Sequence, residues 1–187
     1  MIRRTTRRLS LRVPQALADV EPEALDAVLR LNLQPAIQAA QAALPRMRTN
    51  GWGRIVNNSS LGIDEWTAYA AAKAALVSST RTWALELART GITVNAVALG
   101  PTETELFRAS NPAGSEGEER YLAGVPMHRG GTPDEVAAAI QFLLSEDAVF
   151  ITGQTLFIDG GASIGRGIAL RHFASDEPDR RTASPFA

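Results

Sequence analysis

GRIVNNSSLGIDEWTAYAAAKAALVSSTRTWALELARTGITVNAVALG, residues 53–100, decides the fold. Its two ends are short apolar runs. Arg54 to Ser59, with Ile55 and Val56 at its centre, and Ile92 to Leu99 each read as a buried strand. Between them, the stretch from Thr67 or Tyr69 to Arg89 is rich in alanine and leucine and lacks proline and glycine. That composition predicts a helix, which Gly91 ends. Helices alternating with short apolar strands imply a parallel sheet with helices on both faces.

Working towards the N-terminus, Asp19 or Glu21 before Pro22 marks a helix start, an acidic cap with proline in the first turn. Leu25, Val28, Leu29 and Leu31 follow at helical spacing, Pro35 interrupts, and Ala36 to Met47 continues, so the helix is expected to kink near Asn32 to Pro35. Asn50, Gly51 and Gly53 mark the turn into the first strand. Towards the C-terminus, residues 102–131 mix glycine, proline and charge around the small apolar patches Leu106-Phe107 and Tyr121-Leu122. This segment reads as a mobile lid rather than a core element. Thr132-Pro133-Asp134-Glu135 opens a capped helix with the apolar stripe Val136, Ile140, Leu143 and Leu144, and Thr155 to Asp159 reads as a third strand. Three strands are few for a parallel sheet covered on both faces, so further strands are expected to belong to it. The division expected is an irregular basic segment over 1–18, one α/β domain over 19–165, and a loose polar tail over 166–187.

Composition narrows the function classes. The chain has 187 residues, enough for one domain, and an apolar share of 45% that supports a packed core. A net charge of −1 gives no global attraction to nucleic acid or an acidic membrane surface. There is no cysteine, and the two histidines, His128 and His172, are far apart, so no metal site is expected. No apolar run is long enough to span a membrane, and a cytoplasmic location is expected. The first twelve residues carry five arginines and no acid. They read as a transit peptide, a basic arm for a polyanion, or a solvated start without a role, the last being preferred because Pro14 interrupts any amphipathic helix.

Lysine usage is more pointed. Of 19 basic residues only Lys73 is lysine, so the other 18 are arginine. A lone lysine in that background suggests a place where a compact ammonium serves and a planar guanidinium fork does not. Tyr69 precedes it by four residues on the predicted helix, which puts both side chains on one face. A phenol is a weak acid and base near neutral pH, and a nearby ammonium favours its ionised form, so the pair is a candidate general acid/base. Ser60 ends the preceding strand, where parallel α/β sheets collect ligands, and its hydroxyl suits a developing oxyanion; the plainer reading is a turn serine bonded to its own backbone.

GRIVNNSS (53–60), YAAAK (69–73), GITVNAVALGPTETEL (91–106) and ITGQTLFIDGG (151–161) occur in the order found in classical short-chain dehydrogenases/reductases, and the chain resembles that family, the 3-oxoacyl-carrier-protein reductases in particular. LRLNLQ (29–34) resembles its asparagine-bearing helix and RGGTPDEVAAAIQFLLSEDA (129–148) its late helix. The resemblance, over about residues 19–163, implies a Rossmann-like doubly wound sheet, here incomplete because the first βαβ units with their glycine-rich TGxxxGxG turn are not recognisable. It implies NAD or NADP as cofactor, a small carbonyl or alcohol substrate, and hydride transfer between them. By the same resemblance Tyr69 is the proton donor or acceptor, Lys73 binds the nicotinamide ribose and assists Tyr69, Ser60 polarises the substrate oxygen, and Asn32 holds a water of the proton relay. Thr102 and Thr104 contact the nicotinamide. It also implies a homo-oligomer, or a hetero-oligomer with a related chain, built on the helices read as 22–48 and 67–89. Leu99 stands where the family usually has proline, and the loop between Ser60 and Tyr69 is short for the family. GASIGRG (161–167) mimics the cofactor turn, but it follows the last strand with too little chain after it to build a nucleotide unit. The contrasting reading is an inactive relic or partner subunit that pairs with a full-length relative.

Overall fold

The computed structural model describes residues 17–60 and 67–165. The basic start, the loop 61–66 and the tail from 166 lie outside the described residues, and so do the readings made of them. A 3-10 turn (Leu17–Asp19) leads into α1 (Pro22–Asn32) and α2 (Gln34–Asn50), followed by β1 (Gly53–Ser60), α3 (Thr67–Leu87), β2 (Ile92–Leu99), α4 (Glu105–Ser110), α5 (Glu116–Leu122), α6 (Pro133–Leu144), a 3-10 turn (Glu146–Ala148) and β3 (Thr155–Ile158).

The three strands form one parallel sheet in the order β1-β2-β3. Gly53 to Ser60 lie opposite Ile92 to Leu99, and Ala96 to Leu99 lie opposite Thr155 to Ile158. Among the described residues β1 and β3 are therefore the outer strands of the sheet. β2 is buried along nearly its whole length, as expected of a central parallel strand packed on both faces. On one face Ile92 and Val94 pack with Ala84 and Leu87 of α3, together with Leu44, Met47, Ile55 and Trp83. On the other face lies the end of α6. Arg54, the neighbour of Ile55 and so on the opposite side of the pleat, reaches the Ser145 carbonyl and Glu146.

The predicted kink is real. α1 ends at Asn32 and α2 begins at Gln34, with Leu33 between them donating its N–H to the Leu29 carbonyl. Pro45 sits inside α2 and the helix continues past it to Asn50, beyond the Met47 end expected from sequence. Gly91, at φ 74°, is required where it stands: a Cβ there would collide with the Gly51 carbonyl oxygen.

Two expectations need correction. The segment 102–131 is not an unstructured lid: it holds α4 and α5, each with a hydroxyl N-cap (Thr104 and Ser115), and it buries Phe107 and Val125. Local caps and one aromatic anchor organise a stretch whose charge and glycine content read as irregular. In α6 only Val136 and Leu143 of the expected stripe are buried, and Leu144 is exposed, because the helix covers the sheet with one narrow side.

Candidate active site

Tyr69 and Lys73 occupy the first two turns of α3, which starts at the carboxyl end of β1. α3 holds this position because Ala68, Ala72, Leu76, Thr80, Ala84 and Leu87, about one residue per turn, are buried against the sheet. Two polar contacts fix its rotation. Asn57 donates to the Thr80 hydroxyl (2.8 Å), which donates to the Leu76 carbonyl, and the Ser59 hydroxyl donates to the Lys73 carbonyl (2.9 Å). The odd-numbered residues of β1 therefore lock α3 from below.

The Lys73 ammonium lies 5.5 Å from the centre of the Tyr69 ring and donates to the main-chain carbonyl of Asn58 (2.8 Å). Asn58 in turn lines an open groove of about 370 Å³ with Asn32, which sits at the α1–α2 break and donates its side-chain amide to the Val28 carbonyl (3.0 Å). Tyr69, Lys73 and the Asn58 carbonyl thus meet at the end of β1, and Asn32 shares the groove lining with Asn58. Ser60, half-buried, is the last residue of that strand and lies opposite Leu99.

Thr102 and Thr104 follow the carboxyl end of β2. The Thr102 hydroxyl donates to the Gly100 carbonyl (3.2 Å), and Thr102 bridges to Gly131. Thr104 caps α4, accepting from the Phe107 N–H (3.2 Å), so its oxygen holds the helix while its own proton points elsewhere. Glu103, between them, donates its N–H to the Gly131 carbonyl (2.9 Å) and pairs with Arg108 (2.9 Å), which also pairs with Glu118. The Gly114 N–H and Arg108 hold the Glu118 carboxyl below the ordinary range. A Cβ on Gly100 would meet Asp159 Cα at 2.7 Å, so the loop leaves β2 hard against the end of β3.

The Asp159 carboxylate accepts from the Gly161 and Ser163 N–H groups (2.8 Å each). Burial pushes this carboxyl up, but those hydrogen bonds outweigh it and hold it low. The backbone donors of the glycine stretch after β3 are thereby committed to Asp159, and residues 160–164 are turn, not the opening of a helix. Among its described residues, that stretch turns these donors onto Asp159 and opens no helix at which a phosphate would sit.

A family model described as enoyl-(acyl carrier protein) reductase matches residues 9–163. The chain belongs to the short-chain dehydrogenase/reductase family. It is 41% identical over 140 residues to nodulation protein G of Azospirillum brasilense, covering 73% of this chain and 56% of that one. It is 40% identical over 152 residues to the 3-oxoacyl-[acyl-carrier-protein] reductase FabG of Thermotoga maritima, covering 79% of this chain and 61% of the relative. Among solved structures it resembles a gluconate 5-dehydrogenase from Burkholderia cenocepacia in complex with NADP and tartrate, with TM-score 0.75, 34% identity, and 82% and 62% of the two chains covered. The chain spans a little over half the length of these relatives. Within this short-chain dehydrogenase/reductase, no helix among the described residues is long and apolar enough to cross a membrane.

The sequence reading missed Asn58 and Ser59. Ser59 carried a faint signal, since it stands next to the expected catalytic serine. Asn58 carried none, because it acts through a main-chain carbonyl that every residue possesses.

Proposed function

We propose that this chain carries the proton-transfer part of an NAD(P)-dependent oxidoreductase site acting on a carbonyl or alcohol carbon. The observation that carries the reading is the Tyr69–Lys73 pair: one ammonium beside one phenol, at the carboxyl end of a parallel strand, on a helix tied to β1 by two side-chain hydrogen bonds. A bound nicotinamide supplies the hydride donor or acceptor. Tyr69 gives a proton to, or takes it from, the substrate oxygen. Lys73, which donates to the Asn58 carbonyl, would offer its ammonium to a ribose hydroxyl and its charge to the phenol. Ser60 donates to the substrate oxygen and lowers the cost of charge developing there. Asn32, which lines the groove with Asn58, would hold a water of the proton relay. Thr102 and Thr104, which follow the end of β2, would hold the nicotinamide end of the cofactor, Thr102 through its backbone.

The residues fit the cofactor's nicotinamide end by chemistry: a cation and hydroxyl donors for ribose and carboxamide, all at the carboxyl ends of β1 and β2. The family relationship supports the same class of reaction, and NADP is present in the gluconate 5-dehydrogenase structure.

Steady-state turnover on a panel of ketones and alcohols tests the assignment. Tyr69→Phe deletes the transferable proton, and Lys73→Arg keeps the charge but substitutes a wide fork for a compact head. Each is expected to lose about 10²- to 10⁴-fold in kcat with circular dichroism unchanged. Wild-type rates in both variants would remove the site from catalysis and leave the partner-subunit reading.

A further inference from the structure

Arg108 of α4 sits between two carboxylates from different parts of the chain. It pairs with Glu103 (2.9 Å), in the loop that leaves β2, and with Glu118 of α5. Glu103 stands between Thr102 and Thr104, and its main chain is already fixed. Its N–H donates to the Gly131 carbonyl, and the Gly131 N–H donates to the Pro101 carbonyl (2.9 Å each). A Cβ on Gly130 would meet Glu103 Cγ at 2.9 Å, so the chain before α6 walls this side chain while Arg108 takes its carboxylate.

The Glu118 end is made as closely. Its second oxygen accepts from the Gly114 N–H (2.7 Å), and its own N–H donates to the Ser115 cap (3.2 Å). α5 buries none of its residues completely, so its place depends on contacts with α4. These include the Glu118–Arg108 pair and the edge-on packing of Tyr121 against Phe107 (5.6 Å), a ring that Arg108 also covers (5.7 Å).

We propose that Arg108 is a positioning residue that couples α5 to the loop Thr102–Thr104 through Glu118 and Glu103. This role rests on the oxidoreductase reading, which gives that loop the nicotinamide end of the cofactor. Arginine suits it, because a planar fork can serve two carboxylates at once and an ammonium is a single point. Arg108 and Glu103 are 32% and 35% exposed, so the clasp adds little to global stability. Its effect is on local geometry, since Glu103 lies between the two threonines. A loop held in its binding geometry before the cofactor arrives binds at full affinity, and one that visits it for a fraction of the time loses affinity by that fraction. Tyr69, Lys73 and Ser60 lie on α3 and β1, outside the clasp, so proton transfer should not need it.

Two variants of the full-length chain test the coupling. Arg108→Gln removes both pairs, and Glu118→Gln removes only the pair remote from the threonines. Each should speed amide exchange at residues 103–104 and 116–122 by about fivefold or more, while β2 stays protected. Each should also raise the KM for NADH or NADPH by about tenfold, with kcat at saturating cofactor within about twofold of wild type. A loss of folded protein would instead lower kcat and leave KM alone. Wild-type exchange at 103–104 in either variant overturns the proposal, and so does a wild-type KM in either. A wild-type chain without turnover on any ketone or alcohol sinks the oxidoreductase reading instead, and faster exchange in both segments then still upholds the clasp.

Discussion

α3 and α2 are both long, alanine-rich helices, and they have opposite fates. α3 buries six residues, spaced about one turn apart, against β1 and β2. α2, with 17 residues, buries none completely, and neither does α1. The strands differ in the same way: β2 is almost wholly buried, whereas β1 is buried in alternation and exposes Asn58. An apolar helix face is a property of sequence, and its burial depends on whether a strand lies beneath it. The candidate site sits on the boundary between the two halves. Tyr69 and Lys73 ride on the packed helix, while Asn32 and Asn58 line the open groove.

The sharpest test of this contrast is a matched pair of truncations. Leu76→Ala removes a side chain that is 2% exposed between α3 and the sheet and should cost about 2–5 kcal/mol. Leu31→Ala, at a residue 53% exposed on α1, should change stability by no more than about 0.5 kcal/mol. Chemical denaturation reads both. A large loss at Leu31 would show that α1 is covered in solution and would break the comparison.

Asn95→Ala probes how the packed half holds its outer strand. Asn95 is 1% exposed, donates to the Ile151 carbonyl (2.8 Å) and accepts from the Gln154 N–H (3.1 Å), so it ties β2 to the approach of β3. Its loss leaves two backbone groups unpaired and should cost about 1–3 kcal/mol, with faster amide exchange at residues 153–158 but not at 53–57.

The smallest expected effect is on acid stability. Glu135 bonds Arg129 and the Thr132 N–H at the start of α6, and those contacts lower its carboxyl to about 2. A depressed carboxyl contributes stability above its unfolded value, near 4.5, which is lost as pH falls towards 2. Glu135→Gln should lower thermal stability slightly at neutral pH and flatten the acid limb of the melting profile, the two profiles converging as pH falls towards 2. An identical acid limb would show that the capping box contributes nothing measurable.

Much of the site was legible before any coordinates. A tyrosine four residues before the chain's lone lysine, with a serine at the end of the preceding strand, already specified a helix face and a strand end. The lid was misread because glycine and charge dominate its composition, while its order comes from two capping hydroxyls, the Arg108 bridge and the burial of Phe107, a T-shaped neighbour of Tyr121.

Periodicity, caps and turn glycines act over a few residues, so the sequence by itself determined the strands, the helices α1–α3 and α6, the break after Asn32 and the spacing of Tyr69 and Lys73. Tertiary structure alone decided the rest, because it depends on groups far apart in the chain. It set the sheet order, the Asn58 carbonyl under Lys73, the commitment of the glycine turn to Asp159, and the place of β1 as an outer strand among the described residues. A main-chain carbonyl or a strand's place in the sheet has no residue type of its own, and only the arrangement of its neighbours reveals it.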